Sequence, residues 1–266
     1  MPLLERVVEI VTTAGARLLD RYPSQPPTFT SRASVLAAIA ANDDAIRPIW
    51  QEPLLAARPG SSWVDDENEG GALPPGEWWI TDPAEGNINH IHGLPDWGVT
   101  VTLVRDNEPV LTVVHLPLTA TTYTAVAGGG AYQDGVALRT SAKTALDATL
   151  AGTAPAQLRP EQAARGNRLL GESVAAVLTA GLVVRASVPS TLQLAEVAAG
   201  RMDLFWQFSN VRSDLAAGAL LVTEAGGVVT DLHGTPWSLA SETFLAAAPG
   251  VHQQALDTLS AINSMA

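Results

Sequence analysis

The chain contains no cysteine, which excludes disulfides, thiolate zinc sites and cysteine nucleophiles together. It has a single lysine, Lys143, and no basic excess, since the formal net charge is −12. Nucleic acid and anionic membranes both require a positive face to neutralise phosphates, so neither is expected as a partner. A small anionic substrate remains compatible with this charge if a metal supplies the positive counterpart. No apolar run approaches the roughly 18 residues of a membrane-spanning helix. The opening MPLLERVVEIVTTAGARLL places Glu5 and Glu9 inside its apolar pattern and has no small-residue cleavage site. It reads as a helix, not a signal peptide, and a soluble cytoplasmic protein is expected.

What is present is enough apolar material for a large core. Of 266 residues, 47% are hydrophobic and 16% charged, which suits one large domain or two intimately packed halves. Apolar residues from Leu3 to Leu19 recur at helical spacing, a proline-rich loop covers 22–31, and a second helical stretch runs from about Val35 to Leu55. Arg32 stands at the end of that loop and Asp43-Asp44 lie inside the helix. GVTVTLVR (98–105), a turn at Asp106-Asn107-Glu108 and PVLTVVH (109–115) predict an antiparallel hairpin, continued by a strand over 121–126. Residues 1–140 therefore read as two helices over a meander of strands, and 141–266 as a half of alternating elements. In that half Ser190 to Gln193 resembles a capped helix start, and Ser213-Asp214 opens the small-residue helix LAAGALLVTEAGG.

Two acidic stretches carry the candidate chemistry. Ser62-Trp63-Val64 runs into Asp65, Asp66, Glu67 and Glu69, and crowded like charges indicate either a solvated loop or a cation among them. WWITDPAEGNINHIHG (78–93) predicts a buried strand that delivers Asp82 and Glu85 into a loop, with Gly86 permitting close backbone approach to a ligand. Of the paired tryptophans 78 and 79, alternation sends at most one to the core.

The collinear set Val64-Asp65-Asp66-Glu67, D-P-x-[acid]-G-x-x-N-x-x-H-G (Asp82 to Gly93) and D-x-A-A-G-x-L-x-x-x-E-A-G-G (Asp214 to Gly227) resembles the inositol monophosphatase family over nearly the whole chain. The resemblance implies an α/β fold, a layered α/β/α/β/α sandwich with mixed, largely antiparallel sheets, and a homodimer. It implies two or three Mg²⁺ ions held by Asp66, Asp82, Glu85, Asp214 and the carbonyl of Ala84. A small phosphorylated substrate would meet Gly86, Asn87, Ser190, Gln207, Asp214, His90 and Arg32, and catalytic roles fall to Asp66, Asn87 and Asp43. The implied reaction is metal-assisted hydrolysis of a phosphate monoester.

Several positions depart from the family's pattern. Asp66 replaces a glutamate and Glu85 an aspartate, shortening one ligand and lengthening another by about 1.5 Å. Asn87 replaces the hydroxyl residue after D-G, Ser213 a tryptophan and Gln207 a glutamate. Ile39-Ala40-Ala41-Asn42-Asp43 keeps only the acid of V-T-x-x-D, and Arg32 replaces a lysine. These changes leave a second function open: a repurposed pocket in which Asp66, Asp82, Glu85, Asp214 or His90 serves as general acid or base without metal.

Overall fold

The computed structural model describes residues 2–25, 27–65, 70–155 and 160–263. Its elements run α1 (Leu3–Leu19), α2 (Arg32–Ala57), β1 (Ser62–Trp63), β2 (Glu77–Glu85), α3 (Asn87–Ile91), β3 (Gly98–Arg105), β4 (Glu108–Leu116), β5 (Thr121–Val126), β6 (Gly130–Gln133) and β7 (Val136–Ala137). The second half continues with β8 (Leu150–Thr153), α4 (Pro160–Ala180), β9 (Val183–Ala186), α5 (Ser190–Ala198), β10 (Leu204–Gln207), α6 (Arg212–Glu224), β11 (Val228–Thr230), β12 (Phe244–Ala247) and α7 (Pro249–Asn263). The seven strands of the first half form one sheet in chain order, antiparallel except for the β1–β2 pair. The other five form a mixed sheet ordered β11-β12-β10-β8-β9. Helices α1 and α2 cover the outer face of the large sheet, α5 and α6 lie between the sheets, and α4 and α7 cover the far face of the small one. This is the five-layer sandwich expected above.

Period-two alternation decides which side of the large sheet each residue serves. Trp79, Val99, Val101, Leu103, Leu111 and Val113 pack against Val7, Val11, Leu18 and Trp50 of α1 and α2. Ile80 and Val104 face the opposite way, toward Ala216 of α6. Trp79 is buried, whereas the part-exposed Trp78 sends its indole N–H to the Pro74 carbonyl at 2.8 Å. The inner face is kept low by threonines, with the Thr102 and Thr112 hydroxyls paired at 3.0 Å. Low relief suits α6, whose buried run Ala216-Ala217-Gly218-Ala219 lets it approach closely. A Cβ on Gly218 would lie 2.3 Å from the Leu194 side chain, so the α5–α6 contact requires glycine there.

A buried carboxylate organises the start of the second half. Asp203, 1% exposed, accepts from Ser141 Oγ (2.6 Å), Lys143 Nζ (2.8 Å) and the Leu150 N–H (2.7 Å). The chain's one lysine thus binds the linker between halves to β8 and the approach to β10.

Candidate active site

Strand β2 does not end before the acids but runs through Glu85, so the expected loop is an irregular strand end. Asp82 pairs with Thr100 and Glu85 with Gly98, three residue steps against two, and the register shifts between them. Pro83 has no N–H for the ladder, which makes this the place where an extra residue costs least. The Ala84 N–H folds back onto Asp82 Oδ1 at 2.9 Å. Glu85 is 2% exposed, and its Oε2 accepts from Thr191 Oγ1 of α5 at 3.0 Å.

Gly86 then turns the chain into α3 with φ +78° and ψ +34°. A Cβ there would sit 2.7 Å from the Asp96 carbonyl oxygen and 3.0 Å from Pro189 Cγ. Both backbone conformation and space demand glycine. Gly86→Ala is expected to lower unfolding stability by about 2–4 kcal/mol, from left-handed strain plus backbone overlap. A urea midpoint unchanged from the parent would refute this account of the turn.

Asp43, Asp82, Ala84, Glu85, Gly86, Asn87, Ser190 and Asp214 line one cavity of about 320 Å³. Residues from α2, the β2–α3 corner, the start of α5 and the first turn of α6 meet there. Asp214 keeps access to the cavity yet lies deep within the protein, and burial pushes its carboxyl up to about 6, with the nearby Gln207 amide offsetting part of the rise. That amide nitrogen stops short of full hydrogen-bond geometry. Burial, reinforced by repulsion from Asp44, likewise pushes Asp43 up to about 6 against the lowering effects of the Asn87 amide and Arg47.

No lysine, arginine or histidine among the described residues lines this cavity. The carboxylates of Asp43, Asp82, Glu85 and Asp214 in one lining are hard oxygen donors of the kind that suit Mg²⁺. Among the described residues no three acidic or histidine side chains already converge as a closed cluster. Asp66 falls outside the described residues. The Val64 N–H donates to the Trp79 carbonyl, Gly70 pairs with Val211, and Arg212 donates to the Gly70 and Gly71 carbonyls at 2.6 and 2.7 Å.

Three expected substrate contacts lie elsewhere. His90 is 1% exposed and packs edge-on to Trp97 (4.7 Å) and Tyr22 (5.5 Å), behind the cavity wall. Its Nε2 donates to the Leu18 carbonyl at 2.9 Å and burial depresses its pKa, so it serves packing and not substrate contact. Gln207 is buried behind Ser190, accepting from its hydroxyl at 3.2 Å, and does not reach the lining. Ser190 therefore does not cap α5, whose cap position is Pro189. Arg32 is exposed at the first residue of α2, one turn beyond the lining residue Leu36 on the same face. Two residues that local pattern did not mark, Asn42 and Thr191, hold the wall through Asn87 and Glu85.

A larger cleft of about 730 Å³ lies between α4 and the 231–243 loop. Its Asp231 carboxylate is engaged by the His233 and Thr235 amides that form the turn, and among the described residues no comparable set of carboxylates lines it.

The model of the inositol monophosphatase family matches residues 2–264. The chain belongs to the inositol monophosphatase family. An inositol-1-monophosphatase of Rhizobium meliloti is 35% identical over 242 residues, covering 87% of this chain and 86% of that protein. The Nus factor SuhB of Pseudomonas aeruginosa is 39% identical over 158 residues, 59% of this chain and 57% of that protein. In three dimensions the IMPase of Thermotoga maritima superposes with a TM-score of 0.81 at 23% identity, covering 100% of this chain and 99% of that one, which establishes the shared fold. As a member of the inositol monophosphatase family the chain falls in a class of phosphoric monoester hydrolases that generally depend on metal. Against the family's pattern, the longer Glu85 is tied back by Thr191, and Asn87 stands beside Asp43 where a hydroxyl is usual.

Proposed function

We propose that the protein is a Mg²⁺-dependent phosphomonoesterase acting on a small phosphorylated alcohol such as a sugar or cyclitol phosphate. The observation that carries this reading is the meeting of Asp43, Asp82, Glu85 and Asp214 in the lining of one cavity. Asp82, Glu85, Asp214, the Ala84 carbonyl and Asp66 would hold the ions. Bound Mg²⁺ would supply an activated water and neutralise charge on the transferring phosphoryl group. The amides of Gly86 and Asn87 open the first turn of α3 and would orient the phosphate. Asp43, with one carboxylate oxygen held by Asn87 at 2.9 Å, would receive the proton of the attacking water. A cavity of about 320 Å³ is the size of one small metabolite. Residence in the cytoplasm and pairing of two copies belong to the same proposal, the latter supported by the exposed side chains of Leu94, Leu118 and Leu182.

Phosphate release from a panel of sugar, inositol, nucleotide and amino-alcohol phosphates tests the reading. Activity is expected in Mg²⁺, to fall below about 1% in EDTA, and to return on adding the ion back. Absence of phosphate release across the panel, with no calorimetric heat on Mg²⁺ titration, would sink it. A second reading, metal-free acid–base chemistry on a small metabolite, draws on the raised Asp43 and Asp214, which can hold protons near neutral pH. EDTA-resistant turnover of a non-phosphorylated substrate would establish that alternative instead.

A further inference from the structure

A buried run of polar groups leads from the surface at Arg21 to the cavity wall at Asp43. Arg21 Nε donates to Asn42 Oδ1 at 2.8 Å. Asn42 Nδ2 reaches Asn87 Oδ1 at 2.8 Å and His90 Nδ1 at 3.0 Å. Asn87 Nδ2 in turn donates to the Ile39 carbonyl (3.1 Å) and to Asp43 Oδ1 (2.9 Å).

Three of the groups that bound this run have a single role, and they determine its direction. The Arg21 guanidinium can only donate, and the Leu18 and Ile39 carbonyls can only accept. Because His90 Nε2 must donate to Leu18, a neutral imidazole presents Nδ1 as an acceptor, which Asn42 Nδ2 satisfies. The second proton of that nitrogen then needs an acceptor, which Asn87 Oδ1 supplies, turning both amide protons of Asn87 away from Asn42. Asn42 itself is 3% exposed and has no surplus donor.

We infer that Asn42 is a positioning residue: it fixes the amide of Asn87 with its N–H groups toward Asp43, a role needed because residue 87 is an amide. A hydroxyl at position 87 could rotate its single proton onto Asp43 from any setting. An amide has two unlike ends, and the reversed setting would oppose the Asn87 carbonyl oxygen to the Asp43 carboxylate. With the amide fixed, both Asn87 protons are spent, one oxygen of Asp43 is held in place, and its other oxygen is left to act on a water in the cavity. The kinetic consequence rests on the phosphatase reading; the polarity of the run does not.

The test has two arms on the full chain. In the first, long-range ¹H–¹⁵N spectra of the wild-type imidazoles are expected to show His90 neutral, protonated at Nε2 and bare at Nδ1. A His90 protonated at Nδ1 would overturn the inference, and this holds whether or not any variant folds. In the second arm, Asn42→Asp removes both donors and leaves oxygen facing His90 Nδ1 and Asn87 Oδ1. The expected result is protonation of His90 at both nitrogens, with kcat lowered about 10- to 100-fold and KM within about twofold, as for loss of a group that orients a reacting one. A folded Asn42→Asp protein with kcat within twofold of the parent would overturn the positioning role. A wild type that releases no phosphate would remove the phosphatase reading alone, and the His90 tautomer would still decide the polarity.

Discussion

Asp214→Asn is expected to lower kcat/KM by roughly 10³-fold or more and to remove the heat of Mg²⁺ binding. Residues that merely orient a metal ligand are worth about 10- to 100-fold, and on the proposed function Asp214 binds the ion itself, so its loss should exceed that range. The same substitution should act in the opposite direction on the stability of the metal-free protein. Its carboxyl is raised to about 6 from 3.8, so the stability contributed by the protonated form is fully present below about 3.8 and is lost as the pH rises through about 6. Asparagine does not titrate. At pH 7 without metal the variant should therefore be as stable as the parent or more so, by an amount on the order of 2 kcal/mol. Saturating Mg²⁺ should reverse that order by stabilising only the parent. Denaturation curves at pH 5 and 7, with EDTA and with Mg²⁺, check both statements. A variant that gains as much from Mg²⁺ as the parent would remove Asp214 from the ion's ligands.

Asp203→Ala is expected to cost about 3–5 kcal/mol, the scale for removing one partner from a buried charged network. Ser141 Oγ, Lys143 Nζ and the Leu150 N–H all converge on this one carboxylate. Lys143, 44% exposed at its side chain, can turn to water when the carboxylate is gone, whereas Ser141 and the Leu150 N–H are only part-exposed. For a chain of this size the melting temperature should fall by about 10 °C. Lys143→Met should cost far less, since an exposed partner contributes at most about 1 kcal/mol. If the two variants melt alike, the stabilisation lies in the ion pair and not in the buried acceptor.

The elements that were legible in the sequence are those whose partners are local. Helix α1, the β3–β4 hairpin and β5 follow from periodicity, and Asp106-Asn107 forms the expected turn with φ of +50° and +72°. The acids of the cavity were legible because spacing and family pattern mark them. The misreadings share a different cause. Pro83 and Gly86 read locally as the end of a strand, but pairing with β3 carries β2 across Pro83 by means of a register shift. Ser190 has the composition of a helix cap, yet its hydroxyl is claimed by Gln207, seventeen residues on. His90 faces away from the cavity because its imidazole bonds Leu18, seventy-two residues earlier. Asn42 lay in a run noted only for its acid; a helical position specifies a face, not the partner that the fold brings to it.

The place of α6 between the sheets bears on how the chain emerges from the ribosome. Strands β2 to β5 of the large sheet have been made by Val126, but the helix that covers their inner face begins at Arg212. At typical translation rates the intervening stretch takes about 4–17 s to synthesise, during which Ile80, Val104, Val114 and Tyr123 have no permanent cover. Until α6 has been made, the nascent first half carries an apolar face without its permanent partner.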